Sequence, residues 1–323
     1  MGIGPIWVLA EQRGGTPMSV ALELLGAARS FSSDVSAITF GPADETAAEA
    51  LAAHGASSVV CLGDLSPSLP APKVAGALQT MVAEGRPHAV FFATTFDGRE
   101  AAARLSARLR QPLLANVIGL ELIDDVLFTR HVLNGGEETA TARLIGPGPG
   151  IYLLRPKCFA PLEPDSSFAI NVVHRDPPTA GRTDAVHVLS HELLEQVGPR
   201  LDDAEVVVTG GRGFGSRERY AQAGELAALL HGATGATRAV VDAGWAPYSA
   251  QVGQTGKTVK PNVYIACGVS GAIQHLVGMK DSSHIVAINK DPDAAIFKVS
   301  DLGIVADVNV LIPRLIQALK ARS

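Results

Sequence analysis

A glycine-rich run with one arginine, Gly210–Gly215 (GGRGFG), follows an apolar segment and precedes a helical one. Glycines at such a place let the backbone approach a phosphate, and the N-terminus of the next helix favours negative charge. Arg212 adds a fixed positive charge that can hold phosphate oxygens. The spacing differs from the Gly-x-Gly-x-x-Gly of the standard dinucleotide fingerprint. The run therefore indicates either a phosphate-binding loop or a tight structural turn.

A second candidate is the polar segment 251–257 (QVGQTGK), which interrupts otherwise apolar sequence. It holds side-chain amides, a hydroxyl and two glycines within seven residues. Such a loop can present backbone N–H groups and side-chain donors to the polar edge of a ring. A surface loop without a ligand is the alternative, and the residues alone leave both open.

A third candidate is the segment 264–275 (YIACGVSGAIQH), a predicted strand that leads through small residues into a helix. A nucleophile elbow, Gly-x-Ser-x-Gly, would make Ser270 a nucleophile, but its last position is Ala272, and no acid followed by a histidine comes later at a suitable distance. We therefore favour a turn that cradles phosphate, with His275 near a cofactor ring, over a serine hydrolase.

Polar residues follow several predicted strands of the C-terminal half, and ligands of open α/β sheets bind outside the carboxyl ends of strands. Any one of these residues could be an ordinary surface side chain. Five at one edge of one domain favour a single extended ligand, a nucleotide cofactor. The five residues are Arg212, Thr255, Ser270, Asn289 and Asp307.

The elements that must position these residues alternate between apolar strands and helices of 3.6-residue period, which predicts an α/β fold with parallel-type sheets flanked by helices. From Val117 to Arg155 the pattern becomes β-rich, with a hairpin predicted around residues 134–136 (NGG). The predicted strands of the N-terminal half are 6–10, 35–40, 58–62 and 89–93, and its predicted helices are 18–29, 45–54, 73–84 and 99–109.

A domain boundary is expected between about 185 and 203, after a segment rich in Pro, Asp and Ser. This gives an N-terminal α/β domain over 1–195 and a Rossmann-like C-terminal domain over 204–323. Asn309 is expected to cap the last helix, which runs to Lys320 with Pro313 near its first turn. The other predicted elements of the C-terminal domain are strands 205–209, 239–242, 262–266, 285–289 and 304–306 and a helix over 217–231.

Composition excludes several classes of function. The chain has 323 residues, of which 47% are hydrophobic, and a net charge of −5, which argues against a nucleic-acid binder. No apolar run reaches the roughly 18 residues needed to span a bilayer, and no export or transit signal is visible, so we expect a cytoplasmic protein that is not membrane-embedded. Its three cysteines have no metal or redox spacing, which predicts three buried structural thiols and no metal site.

Six segments in order resemble the FAD-binding domain of the electron transfer flavoprotein α-subunit family. They are GGRG, TRAVVDAGW, QVGQTGK, YIACGVSGAIQH, VAINKD and GIVAD, and they extend from Gly210 to Asp307. Several joined motifs over about a hundred residues are far more specific than any one of them. The N-terminal half fits the first domain of the family in layout, without a comparably diagnostic motif.

The resemblance implies a heterodimer of α and β subunits that carries FAD and is an electron carrier rather than an enzyme with its own substrate. In this family the electron donors are flavin dehydrogenases, such as the acyl-CoA dehydrogenases of fatty acid β-oxidation, and the acceptor is a membrane quinone oxidoreductase. The β subunit usually holds a structural AMP. The N-terminal domain would contact that subunit, and a hinge near Val197–Asp203 would let the FAD domain swing.

The resemblance also implies which residues contact FAD. Arg212 would pair with the phosphates, and Arg238 would lie over the flavin ring, where its charge favours the electron-rich reduced forms. The Thr255 hydroxyl would lie close to the reactive nitrogen, and His275 would contact the pyrimidine edge. Asn289 and Asp307 would bind the adenosine end. The full implied set is Arg212, Thr237, Arg238, Val252, Gly253, Gln254, Thr255, Ser270, Gly271, Ala272, Ile273, Gln274, His275, Asn289, Asp307 and Val308.

Two other functions stay open at this point. An electron-bifurcating member of the same family would oxidise NADH at another flavin in the β chain, so the deciding site would lie largely in the partner. A stand-alone nucleotide-dependent oxidoreductase would need its own substrate pocket, and the N-terminal half has no cluster of acid and base residues for one.

Overall fold

The computed structural model describes residues 2–41, 45–133, 138–165, 167, 171–179, 181–190 and 198–322. The chain divides into two compact units, Met1–Glu192 (unit 1) and Leu193–Ser323 (unit 2). Each unit is an α/β layer structure, so the predicted fold class is confirmed. The predicted hinge begins at residue 197, which lies outside the described residues, and it stays a prediction.

Unit 1 is built on a mixed sheet with helices on both faces. Its helices are α1 (Ser19–Arg29), α2 (Glu45–Ala53), α3 (Pro70–Gly85) and α4 (Phe96–Leu109). Its strands are β1 (Ile6–Leu9), β2 (Gln12–Arg13), β3 (Thr16–Pro17), β4 (Val35–Thr39), β5 (Ser58–Cys61), β6 (Ala89–Ala93), β7 (Leu113–Ile123), β8 (Val126–Leu133), β9 (Glu138–Arg143), β10 (Gly150–Leu154) and β11 (Val172–His174).

The main sheet of unit 1 has the order β11-β5-β4-β1-β6-β10-β7-β8-β9 in the described residues. Its strands are parallel from β11 to β7, whereas β8 and β9 are antiparallel additions at one edge. The parallel prediction therefore holds for most of this sheet and fails at that edge. The hairpin that was predicted around 134–136 has its strands at β8 and β9, and its turn lies outside the described residues.

The central strands of unit 1 are buried on both faces, as continuous apolar runs predict. Successive side chains point to opposite faces of a strand. Val8 accordingly packs in one core cluster with Leu24 of α1, and its neighbour Leu9 packs in another with Leu78 of α3. Fully burying each such side chain contributes about 1.5–3 kcal/mol, which makes this sheet a firm support for the loops at its ends.

Unit 2 is a smaller parallel sheet, β13-β12-β14-β15-β16, in the described residues. Its strands are β12 (Val206–Gly210), β13 (Ala233–Ala236), β14 (Val263–Cys267), β15 (His284–Asn289) and β16 (Leu302–Val305). Its helices are α5 (Arg217–Leu229), α6 (Arg238–Asp242), α7 (Ile273–Leu276) and α8 (Val308–Lys320).

One predicted strand of unit 2 is wrong: residues 239–242 belong to the short helix α6, and the strand lies earlier, at β13. The apolar pair Val240-Val241 is typical of a strand, and a run this short does not distinguish strand from helix by its period. The residues of β13, Ala-Thr-Gly-Ala, carry almost no apolar signal. Arg238 consequently starts a helix instead of preceding a strand.

The start of the last helix is also corrected. The N-cap of α8 is Asp307, whose side chain accepts a hydrogen bond from the backbone N–H of Asn309 at 2.9 Å. Asn309 is thus inside the helix and is not its cap. Pro313 is the sixth residue of α8, beyond the first turn where it was expected. The cysteine prediction is corrected as well, because Cys61 and Cys267 are buried but Cys158 is only half-buried.

None of the helices in the described part of the chain is long and apolar enough to cross a membrane.

Candidate functional site

The strand order of unit 2 creates a switch point beside its first strand. The chain passes from β12 to β13 on one side and then returns to place β14 on the other side of β12. Beyond the carboxyl edge of the sheet, the chain that follows β12 and the chain that follows β14 therefore continue in opposite directions. Crevices of this kind are where open α/β sheets bind their ligands.

The two loops at this switch point are locked together through glycines. The backbone N–H of Gly211 donates to the carbonyl of Cys267 at 2.8 Å, and that of Gly213 donates to the carbonyl of Gly268 at 3.1 Å. A Cβ on Gly211 would lie under 3.0 Å from the Gly268 carbonyl oxygen, which real side chains essentially never do. Gly268 itself has a φ of +64°. These glycine loops therefore form a tight structural turn whose backbone a ligand can still approach. Arg212 is exposed beside them.

Two further predicted residues are tied to these loops. Asn289 donates from its side-chain amide to the carbonyl of Val269 at 2.8 Å, which joins the end of β15 to the loop after β14. Asn309, held by Asp307, donates from its side chain to the carbonyl of Gly213 at 3.3 Å. The loops after β12, β14 and β15 and the start of α8 consequently form one surface at the sheet edge.

The loop 251–257 is held in place from three directions. The N–H of Val252 donates to the carbonyl of Ala236 at the end of β13, at 3.0 Å. The N–H of Gln254 donates to the carbonyl of Gln274 in α7, at 2.7 Å. Within the loop, the buried Gln251 donates from Nε2 to the Thr255 hydroxyl oxygen at 2.9 Å. Because the Thr255 hydroxyl oxygen accepts this hydrogen bond from Gln251, the hydroxyl proton of the exposed Thr255 can be donated to a different acceptor.

His275 is buried, with a fractional exposure of 7%, and burial lowers its pKa from 6.5 to about 4. Its Nδ1 lies 3.1 Å from the carbonyl oxygen of Val252, and its Nε2 lies 2.9 Å from the hydroxyl of Tyr264. Both ring nitrogens therefore have partners within the protein. In the structure the His275 donor is directed at the loop 251–257, and the expected contact of His275 with the pyrimidine edge of a flavin stays a prediction.

Arg238 lies at the start of α6 and is largely exposed, at 70% of its side chain. Its Nε is 3.4 Å from Asp242, in an ion pair that solvent weakens. Thr237, the residue before it, has a buried hydroxyl oxygen that has no hydrogen-bond partner in the described residues. The two residues thus place one exposed cation and one unsatisfied hydroxyl oxygen at the start of α6.

A cavity of about 630 Å³ opens next to Arg212 and extends along α6. Its size is within the range of small-molecule and cofactor sites. Trp245 and Asp242 in its lining are not among the site residues predicted from sequence, although both lie in the segment TRAVVDAGW. The isolated tryptophan and the carboxylate of that segment were the available signals. The lining residues are Arg212, Gly215, Ala239, Asp242, Ala243 and Trp245.

The predicted site residues differ in what they can present to a ligand. Val308 packs its side chain into the core, so only its backbone can contribute. The exposed members are Arg212, Arg238, Gln254, Thr255, Ser270, Ala272, Ile273, Gln274 and Asp307; the half-buried ones are Thr237 and Asn289; and the buried ones are Val252, Gly253, Gly271, His275 and Val308.

In the part of the chain that the structure describes, no group of three His, Cys, Asp or Glu side chains is arranged to hold a metal ion. The edge of unit 2 instead combines backbone N–H groups in glycine loops, two exposed arginines and exposed hydroxyl and amide groups. These features define the class: an α/β protein whose smaller sheet has the edge of a nucleotide-cofactor site.

Comparison with known proteins identifies the family. The model of the electron transfer flavoprotein domain matches residues 6–180, and that of the electron transfer flavoprotein FAD-binding domain matches residues 200–280. The chain is 38% identical to the electron transfer flavoprotein subunit alpha of Thermoanaerobacterium thermosaccharolyticum, over 98% of this chain and 97% of that protein. It is 37% identical to the same subunit of Bacillus subtilis, over 97% and 96% of the two chains.

A third relative, Protein FixB of Clostridium saccharobutylicum, is 37% identical over 98% of this chain and 96% of that protein. The chain belongs to the electron transfer flavoprotein α-subunit family, which confirms the resemblance seen in the sequence. Most predicted site residues lie within the FAD-binding match. Asn289, Asp307 and Val308 lie beyond its end at residue 280.

Proposed function

We propose that this chain is the α subunit of a heterodimeric electron carrier that holds FAD at the carboxyl edge of unit 2. Its task is to accept electrons from flavin dehydrogenases, such as acyl-CoA dehydrogenases, and deliver them to a membrane quinone oxidoreductase. The observation that carries the cofactor assignment is the locked pair of glycine loops at the switch point, within the segment that matches the FAD-binding domain.

The residues present fit FAD in charge and in shape. Arg212 and Ser270 are exposed on the two loops of the switch point, so they would hold the phosphates, together with nearby backbone N–H groups. The unsatisfied hydroxyl of Thr237 fits a polar ligand at the same edge. Asn289, Asp307 and the backbone of Val308 would hold the adenosine end, since Asn289 ends β15 and the other two follow the edge strand β16.

The flavin ring would lie against the loop 252–255, with Arg238 near it. When bound, FAD supplies one-electron and two-electron redox chemistry that no side chain offers. The protein's part is to bind, orient and tune. The Thr255 hydroxyl, held as an acceptor by Gln251, is directed to donate to a ring acceptor. A positive charge at Arg238 would favour the more negative reduced state and so raise its potential. Gly253, Gln254 and residues 271–274 would complete the lining.

Unit 1 would contact the β subunit, which would carry AMP. The family match over residues 6–180 supports the pairing with a β subunit and the assignment as an electron carrier. The AMP and the lack of a substrate of its own stay predictions. The dehydrogenase donors, the quinone oxidoreductase and the cytoplasmic location stay predictions.

A bifurcating variant of the same carrier is the second candidate, because one relative with the different name Protein FixB is as similar as those named subunit alpha. The two candidates differ in whether NADH reduces the complex. Anaerobic reduction of the co-purified heterodimer is the test, with an acyl-CoA dehydrogenase and its substrate in one sample and NADH in the other.

We expect the flavin absorbance of the heterodimer to bleach with the dehydrogenase and to remain with NADH. Bleaching by NADH would favour the bifurcating carrier over the simple carrier as the function of this complex. A complex that stays colourless after FAD is added would overturn the cofactor assignment itself.

A further inference from the structure

Tyr264 is a polar residue of unit 2 that the site described above does not use. It lies in β14 and is fully buried, and burial raises its pKa far above the ordinary value. Its ring belongs to the core cluster that also contains Val252. Its hydroxyl reaches out of this apolar cluster to Nε2 of His275, at 2.9 Å. A buried hydroxyl that meets a buried imidazole needs a definite assignment of donor and acceptor.

The chemistry of the partners settles that assignment. The carbonyl oxygen of Val252 can only accept, so Nδ1 of His275 must carry a proton and donate to it. A neutral imidazole has one donor and one acceptor, and Nε2 is therefore the acceptor. The Tyr264 hydroxyl is then the donor to Nε2. The two hydrogen bonds therefore run in one direction, from Tyr264 to His275 and from His275 to Val252. We call these three residues the Tyr264 relay.

The relay ends on a loop that has little freedom. Val252 donates to Ala236 through its N–H and accepts from His275 through its carbonyl, so both of its backbone groups are bonded. The next residue, Gly253, has a φ of +138°, and a Cβ there would lie 2.7 Å from the carbonyl of Gln274. The orientation of the Val252 carbonyl thus helps to set the path of the residues after it.

We propose that Tyr264 is a positioning residue for the cofactor site: through His275 it fixes the Val252 carbonyl and with it the loop 252–255. This inference rests on the proposed function, in which that loop lines the flavin. Tyr264 acts at a distance, because it is fully buried and packs in the core cluster.

The relay needs a neutral His275, and burial lowers the pKa of this imidazole to about 4. The Val252 carbonyl selects the tautomer with the proton on Nδ1, and the Tyr264 hydroxyl then donates to the bare Nε2. Without that donor the buried Nε2 is left unsatisfied, and the ring loses one of the two hydrogen bonds that orient it.

The test is Tyr264→Phe in the full chain, co-purified with its partner subunit. We expect FAD affinity to fall about tenfold, because a buried bond is lost and Nε2 is left unsatisfied. We also expect the ¹⁵N signal of the bare Nε2 of His275 to shift, because this nitrogen loses its hydrogen-bond donor. Amide hydrogen exchange of the loop 251–257 should accelerate.

Two further variants separate positioning from general stability. Tyr220→Phe is the matched control, because Tyr220 is a buried tyrosine of the same unit whose hydroxyl donates to Gly235 at 3.0 Å and has no bond to the loop. It should lower stability without a change in the His275 spectrum. His275→Gln keeps one donor and one acceptor at a similar separation, so it should keep the slow amide exchange of the loop 251–257, whereas His275→Ala should resemble Tyr264→Phe.

The outcomes distinguish this inference from the function on which it rests. If Tyr264→Phe binds FAD like the wild type and leaves the His275 spectrum and the loop exchange unchanged, the relay is refuted and the cofactor site stands. Loop exchange as fast in His275→Gln as in His275→Ala would refute the relay too, also where Tyr264→Phe does not fold. If the wild-type complex itself takes up no FAD, the proposed function fails first.

Discussion

Both units of this chain have a switch point at the carboxyl edge of a parallel sheet, but they fill it differently. In unit 1 the switch lies between β1 and β6, and in unit 2 between β12 and β14. In unit 1 the buried side chain of Glu11 follows β1, and the Thr95 hydroxyl donates to it. The same hydroxyl accepts from the N–H of Gly98 at 3.0 Å and so caps α4. A carboxyl group and a capped helix thus close this crevice.

Unit 2 has glycines at the corresponding positions. Its loops present Gly211, Gly213 and Gly268, and the charged side chain beside them is the exposed Arg212. In unit 1 a buried carboxyl side chain fills the crevice and offers phosphates no positive charge, whereas in unit 2 an exposed cation and backbone donors attract them. The same topology therefore does not imply the same ligand. The residues that follow the two strands of each switch point determine which ligand binds.

The largest difference between the two units is expected from a matched pair of glycine substitutions, one at each switch point. A Cβ on Gly211 would lie under 3.0 Å from the carbonyl oxygen of Gly268, and a Cβ on Gly98 would lie under 3.0 Å from that of Ala93. Both changes crowd a switch point. We expect Gly211→Ala to weaken FAD binding more than about 100-fold, or about 3 kcal/mol. Gly98→Ala should destabilise unit 1 and leave FAD affinity within a few-fold of the wild-type value. Fluorescence titration with FAD measures the affinity of both variants.

Gly224→Ala is the control for these substitutions. It places a Cβ 3.6 Å from the hydroxyl of Thr234, an ordinary contact, in the interior of α5. Alanine there should stabilise the helix by about 0.5–1 kcal/mol without an effect on FAD. Equal losses of FAD affinity in Gly98→Ala and Gly211→Ala would remove the distinction between the two units.

The two switch regions should respond to pH in opposite directions. Burial raises the pKa of Glu11 from 4.5 to about 7, so its contribution to stability is complete below pH 4.5 and is lost as the pH rises through 7. Burial lowers the pKa of His275 from 6.5 to about 4, so its contribution is complete above pH 6.5 and is lost as the pH falls through 4. Each effect has an upper limit of about 3 kcal/mol.

Hydrogen exchange of the full chain between pH 4 and 8, corrected for the intrinsic rates, measures this opposition. Segments 9–13 and 94–100 should become less protected with rising pH, and segments 251–257 and 272–278 more protected. Glu11→Gln should remove most of the first trend and leave the second. The remainder of the first trend would come from Asp97, whose pKa burial also raises. Parallel trends in both units would contradict the assigned burial of Glu11 and His275.

Removal of the arginine at the switch point should have an intermediate effect. Arg212→Ala is expected to weaken FAD binding about 10-fold to 100-fold, since a charge-assisted hydrogen bond contributes about 1.5–3 kcal/mol. The remaining affinity should depend less on salt concentration. Arg217→Ala is the control, because Arg217 is exposed in the first turn of α5 and lies outside the cavity lining. A titration in which both variants bind alike would remove Arg212 from the phosphate site.

The smallest effect is expected at Arg238, which is exposed and only loosely paired. Arg238→Ala should keep FAD but lower its midpoint potential, by about 20–40 mV for one electron if the charge contributes about 0.5–1 kcal/mol. Arg238→Lys retains the charge and should retain most of the potential. An unchanged redox titration in Arg238→Ala would exclude a role for this cation near the ring.

The sequence predicted those parts of the fold that have strong local signals. Strand β6 has the predicted ends, Ala89 and Ala93, because its five apolar residues are buried on both faces. Strand β13 and helix α6 were missed, because Ala-Thr-Gly-Ala owes its place in the sheet to its pairing with β12 and not to its own apolar character. Propensity is a weak guide where tertiary contacts decide.

The site shows the same division. The glycines and Arg212 are adjacent in sequence, so a local pattern revealed them. The partners of His275 could not be found in this way, because Tyr264 is 11 residues away and Val252 is 23 residues away. Which nitrogen of His275 donates depends on those partners alone. Long-range hydrogen bonds therefore determine what a correctly selected residue can do.

The central claim is that FAD binds at the switch point of unit 2 and not at that of unit 1. Hydrogen exchange of the heterodimer, measured with FAD removed and then restored, tests it most directly. Restored FAD should protect the segments 211–216, 251–257 and 268–276 and leave 9–13 and 94–98 unchanged. Protection confined to the two segments of unit 1, with none at the glycine loops of unit 2, would contradict the account.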